Sequence, residues 1–145
     1  MARKRRFFVV GWTCVMLPAV VFGTPLHAQV TVPQYEVDPY WPKPLPDRWV
    51  LGGLADVCVD AQDHVFILNR QDVLDVNLNA GSLAPSIIEF DPAGNVVNSW
   101  GDPELLDPRL HGCHFDGDNN VWIVSAPSGM VQKYSHDGDL LFQVG

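Results

Sequence analysis

The chain has 145 residues, 47% of them hydrophobic and 18% charged, a composition that fits a globular protein and excludes a disordered one. Nine Lys/Arg stand against seventeen Asp/Glu, a formal −8. That balance excludes nucleic acid as a partner, because phosphate neutralisation needs clustered basic residues. Calcium or a cationic ligand suits it better.

At the N-terminus Arg3, Lys4, Arg5 and Arg6 precede the apolar run Phe7–Phe22, and "TPLHAQ" then places Leu26 and Ala28 at −3 and −1 of a cleavage site. This pattern predicts a secretory signal peptide over 1–28, and hence an exported protein, periplasmic or extracellular, with no stable membrane insertion after cleavage. The other reading is an uncleaved anchor, although Pro18 and Gly23 interrupt the run near its end. Arg5-Arg6 before Phe7-Phe8 also suits twin-arginine export. Without 1–28 the chain keeps five Lys/Arg and all seventeen acids, a formal −12. A Pro-rich lead-in follows over 29–48.

The remainder, 49–145, repeats itself. "ADVCVDAQDHVFILNR" (55–70) aligns without gaps on "HGCHFDGDNNVWIVSA" (111–126), and "SIIEFDPAGNVVNSWG" (86–101) on "MVQKYSHDGDLLFQVG" (130–145). The first copy carries twelve more residues than the second, within 71–85, where "AGSLAP" has loop chemistry. In each copy the first strand (Val57–Val59, or Gly112–Phe115) ends in Asp, and a polar turn leads to "HVFILN" or "NVWIVS". The third strand alternates, as in "IIEF" and "VQKY", and a turn containing Gly94 or Gly138 at positive φ leads to the fourth. No segment after the leader sustains a 3.6-residue apolar period, so the fold class is all-β.

Four-stranded units about 44 residues apart predict blades of a β-propeller, here about 49–101 and 102–145. Two blades cannot close a ring, so the expectation is the N-terminal portion of a longer protein. Trp100, Trp122, Phe66 and Tyr134 are expected to pack between blades.

"HGCHFDGDNNVWIV" followed by "VQKYSHDGDLLFQVG" resembles the NHL repeat, and "YEVDPYWPKPLPDRWVLGGLADVCVDAQDHVFILNR" resembles the start of secreted bacterial NHL propellers. These are similar to the catalytic core of peptidyl-α-hydroxyglycine α-amidating lyase, and the resemblance covers 36–145. It implies a six-bladed propeller that cleaves a carbon–nitrogen bond to give a peptide amide and glyoxylate. Zinc on three histidines and a calcium ion in the central channel are implied with it. "RLHGC" matches the first zinc histidine at His111, the calcium's main-chain carbonyls fall on Val57 and Cys113, and a substrate-contacting arginine falls on Arg70. Three departures stand out: Ser125 replaces an Asp, "APSGM" replaces the customary run ending in His-Gln, and "LNRQD" replaces His-Arg-Gly. The implied partner is a peptide or small-molecule substrate. NHL propellers also serve as non-catalytic scaffolds with a protein partner on one face.

Read from the residues alone, His111, Cys113 and His114 cannot close on one metal, because His114 points to the opposite side of the strand from the other two. His111 is either a histidine at the turn into the strand or one ligand of a zinc completed elsewhere. His114 is expected to face the core. Arg70 either contacts a ligand or pairs with Asp72 or Asp75. An oxidising exterior permits a Cys58–Cys113 disulfide, yet the two fall one register apart and should face opposite sides of their strands, which favours separate buried thiols. Asp60, Asp116 and Asp118 lack EF-hand spacing and read as turn formers. His64 and His136 fall in hairpin turns and are expected to be solvated.

Overall fold

A computed structural model describes residues 32–145; the expected leader and the first residues of the Pro-rich lead-in lie outside that range. Residues 32–36 are exposed and irregular, and Val37–Gly145 forms a unit of its own. The first copy of the repeat folds into strands β2 (Leu54–Val59), β3 (Val65–Asn69), β5 (Ile87–Phe90) and β6 (Val96–Trp100). The second folds into β7 (Leu110–Phe115), β8 (Val121–Ser125), β9 (Val131–Tyr134) and β10 (Leu140–Val144). Each set is a four-stranded antiparallel sheet whose neighbours follow chain order.

The first strand of each sheet is longer than its apolar core suggests. Pairing resumes beyond a register shift, at Leu54↔Asn69 in one sheet and at Leu110↔Ser125 in the other. The turns are built as the residue pattern requires. Gly94 and Gly138 take φ of 87° and 97°, and a Cβ on Gly138 would sit 2.6 Å from the Trp100 ring. Residues 71–85 are not simply loop. A 3-10 segment covers Asp75–Ala80, and β4 (Ser82–Leu83) within "AGSLAP" pairs in parallel with β1 (Trp49–Val50).

The two sheets pack through opposite faces. Cys58, Phe66, Leu68, Ile87 and Trp100 of the first meet Leu110, Cys113, Phe115, Val121, Ile123 and Tyr134 of the second. Phe66 and Phe115 contact edge to face at 4.8 Å. In the repeat alignment Phe66 corresponds to Trp122 and Ile67 to Ile123, so the first sheet presents the face that the second turns away. The other side of the first sheet, Ile67, Ile88 and Phe90, is covered by Trp41 and Leu45 from the lead-in and by Trp49 and Leu51 just after it. The other side of the second, with Trp122 beside Phe142, leaves Val124, Phe142 and Val144 exposed. Of the four aromatic residues expected to pack between blades, Phe66, Trp100 and Tyr134 lie between the two sheets, and Trp122 lies on the uncovered side of the second.

This stacking corrects the cysteine reading: Cys58 and Cys113 form a disulfide, with Cα atoms 6.0 Å apart. Facing opposite sides of equivalent strands is what brings them together, because the sheets dock by opposite faces. The same parity corrects His114. It lies on the far side of β7 with Trp122 and is exposed.

Candidate functional site

Two ends of the stacked sheets carry polar side chains. At the end where β3 finishes and β7 begins lie the residues that the sequence singles out. Arg70 pairs with neither Asp72 nor Asp75; its Nε–H donates to the Leu110 carbonyl at 3.0 Å. Asp72 instead accepts the Gly53 N–H. The Arg70 guanidinium is thus anchored across the sheet junction, at the residue before His111, which is exposed. Val57 is 53% exposed on β2, and Cys113 donates its N–H to Asp56 Oδ2 at 2.9 Å. β2 and β7 are edge strands of their sheets, so each holds one row of backbone carbonyls outside the ladders. That geometry is compatible with main-chain cation ligands at Val57 and Cys113. Among the described residues no His, Cys, Asp or Glu side chain joins His111 in a group of metal-ligand size.

The opposite end holds the one such group among the described residues: Asp60, His64, Glu89 and His136, whose ligand atoms all lie within 4.8 Å of one another. Three segments bring them there. Asp60 closes β2, and its Oδ1 accepts the N–H groups of Gln62 and His64 at 2.8 Å each, the hydrogen bonding of a turn-forming aspartate. That leaves Oδ2 to turn inward. Glu89 stands in "IIEF" on the junction side of β5, paired with Phe66, so it is held between the sheets. His136 comes from the β9–β10 turn of the second sheet, its ring set edge-on against Phe66 at 5.2 Å.

His64 Nδ1 lies 2.5 Å from Glu89 Oε1 and 3.9 Å from Asp60 Oδ2. His136 Nε2 lies 2.9 Å from Asp60 Oδ2 and 3.5 Å from Glu89 Oε1. The carboxylate side chains are 0% and 3% exposed, the imidazoles 27% and 30%. The hydrogen bond to Glu89 is the main cause that raises the His64 pKa above its ordinary value. Burial pushes Asp60 upward, but hydrogen bonds from the His64 backbone, the His136 ring and the Gln62 backbone together outweigh it and hold the carboxyl below its ordinary value.

The expectation that His64 and His136 are solvated is therefore corrected. Both rings are drawn in by buried carboxylates that need a cationic or donor partner. The signal was present in the sequence: a glutamate on the same strand face as Ile87, where the second copy carries Lys133. Neither a protein-family model nor a curated protein matches the chain. Among the described residues no helix is long and apolar enough to cross a membrane.

Proposed function

We propose that this chain comprises two consecutive blades of an exported NHL-type propeller, and that its Arg70–His111 end belongs to a lyase-like site acting on a peptide or small-molecule substrate. The observation that carries the propeller reading is the docking of two like sheets through unlike faces. A contact of that kind leaves a free face of each type, and repetition produces a series that closes as a ring. The lead-in and the residues just after it cover one of the free faces, and the Trp122 face stands ready for a further sheet.

The lyase reading rests on the repeat resemblance and on the common placement of Arg70 and His111. With Nε spent on the Leu110 carbonyl, Arg70 keeps its two terminal amino groups for bidentate binding of a carboxylate. That is the group a C-terminal α-hydroxyglycine presents. Zinc completed at His111 by histidines of further blades supplies Lewis acidity toward a hydroxyl or carbonyl oxygen. Calcium on the Val57 and Cys113 carbonyls would tie the inner strands together.

The test is glyoxylate release from a peptide ending in α-hydroxyglycine, using the protein as exported by its own cell, whose mass also gives its blade number. Zinc-dependent release that Arg70→Ala weakens supports the reading. An exported product of two blades that releases no glyoxylate overturns it. The exposed Val124, Phe142 and Val144 favour a second reading, a scaffold that binds a protein on that face or an inactive fragment of one.

A further inference from the structure

We propose that Asp60, His64, Glu89 and His136 form a closed structural zinc site that clamps the two sheets together at the end away from Arg70. This inference does not depend on the lyase reading, because it uses none of the same residues.

The first argument is geometric. Four donors about 2.0–2.1 Å from a central zinc define a tetrahedron with edges of about 3.3 Å. The nitrogen–oxygen separations across the cluster are 2.5, 3.9, 2.9 and 3.5 Å, values that straddle that edge. The other two separations are at most 4.8 Å, so no pair of donors departs from that edge by more than about 1.5 Å. The donors also belong to both halves: three come from the first repeat and His136 from the second.

The second argument is charge. Two carboxylates buried at 0% and 3% exposure hold two negative charges at the junction. A divalent ion balances them and leaves both imidazoles neutral, the form in which histidine is a ligand. The third is comparison within the chain. In the second repeat the positions of Asp60, His64 and Glu89 are taken by Asp116, Asn120 and Lys133, and the Lys133 ammonium lies 2.8 Å from Asp116 Oδ2. Where the second copy supplies its own cation, the first supplies another carboxylate and one imidazole, and the second imidazole, His136, comes from the other sheet.

Donor chemistry selects the ion. Two imidazole nitrogens with two carboxylates suit zinc, whereas calcium takes six to eight oxygens. Four protein ligands leave no open position, which marks a structural site. The partly exposed rings of His64 and His136 give the ion its way in.

The experiment is titration of the full chain, freed of metal by chelator with its disulfide intact, with zinc chloride alone, followed by calorimetry and thermal unfolding. One equivalent bound, with a higher Tm, is expected. Cobalt(II) in place of zinc should give the intense visible absorption of a tetrahedral site. Glu89→Gln and His136→Gln, which keep side-chain size, should each weaken binding by more than about 100-fold, beyond what outer-shell changes cost. His111→Ala and His114→Ala should leave it unchanged. Absence of zinc binding by the wild-type chain overturns the proposal, as does binding that His111→Ala removes. A cobalt spectrum of six-coordinate type overturns it without any variant.

Discussion

The β2–β3 turn and the β7–β8 turn are the same structure with different endings. Asp60 and Asp116 both cap their turns, each accepting a backbone N–H from two and four residues on. Beyond the cap the copies diverge. Asp116 keeps its second oxygen for Lys133 and the Trp122 indole, at 2.8 and 2.9 Å, a local arrangement closed within one sheet. Asp60 sends its second oxygen across the junction to His136 of the other sheet. The difference teaches that a turn aspartate has two oxygens with separate duties: one makes the hairpin, and the other is free to be recruited. The turns are also joined directly, since Ala61 N–H donates to Asn119 Oδ1 and Asn119 Nδ2 to Gln62 Oε1.

The largest effect should appear where equivalent aromatic residues sit on covered and uncovered faces. Phe66 is fully buried at the junction, so Phe66→Ala should cost about 3–5 kcal/mol in denaturant unfolding. Its counterpart Trp122 is on the uncovered face, and Trp122→Ala should cost no more than about 1 kcal/mol. Equal losses would mean that the Trp122 face is covered in solution. Next in size is the disulfide between the sheets, which closes a separation of 55 residues. Cys58→Ser should lower stability by about 2–5 kcal/mol, measured in the absence of reductant.

Glu89→Lys tests the comparison from the other side by giving the first repeat the ammonium of the second. It should abolish the zinc-dependent rise in Tm, a loss of about 2.7 kcal/mol at zinc a hundredfold above its Kd. Retention of that rise would sink the analogy between the two carboxylate sites. The smallest effect is at Asp116, whose carboxyl Lys133 and Trp122 hold well below the ordinary carboxylate range. A lowered folded pKa contributes stability that is present above the unfolded value near ~4 and is lost as pH falls further. Lys133→Met should shift the Asp116 titration upward, read by carboxyl NMR, and start acid unfolding at a higher pH. An unmoved titration would show that the ammonium does not hold that carboxylate.

The sheets were legible in the sequence because the gapless repeat registers each strand against its copy, and because Gly94 and Gly138 mark the turns. What escaped belongs to the relation between copies. Alignment states that Cys58 and Cys113 have opposite parity, but only the way the sheets dock turns opposite parity into contact. His64 and His136 look like solvated turn residues until Glu89, 25 residues from one and 47 from the other, is placed between them. Arg70 has acids nearby in sequence, yet the β2–β7 junction offers it the Leu110 carbonyl instead. Such contacts depend on one rigid-body choice, and no local pattern of residues encodes that choice.

The disulfide has a topological consequence. Between Cys58 and Cys113 lies the whole of β3 to β6, together with the long excursion in which Leu74 and Val76 are 69% and 66% exposed. Exposed segments of that kind are where proteases cut first. A chain severed there would still migrate as one molecule on a non-reducing gel and would separate into two pieces only when a thiol is added. The 71–85 excursion can therefore be nicked without the two halves drifting apart.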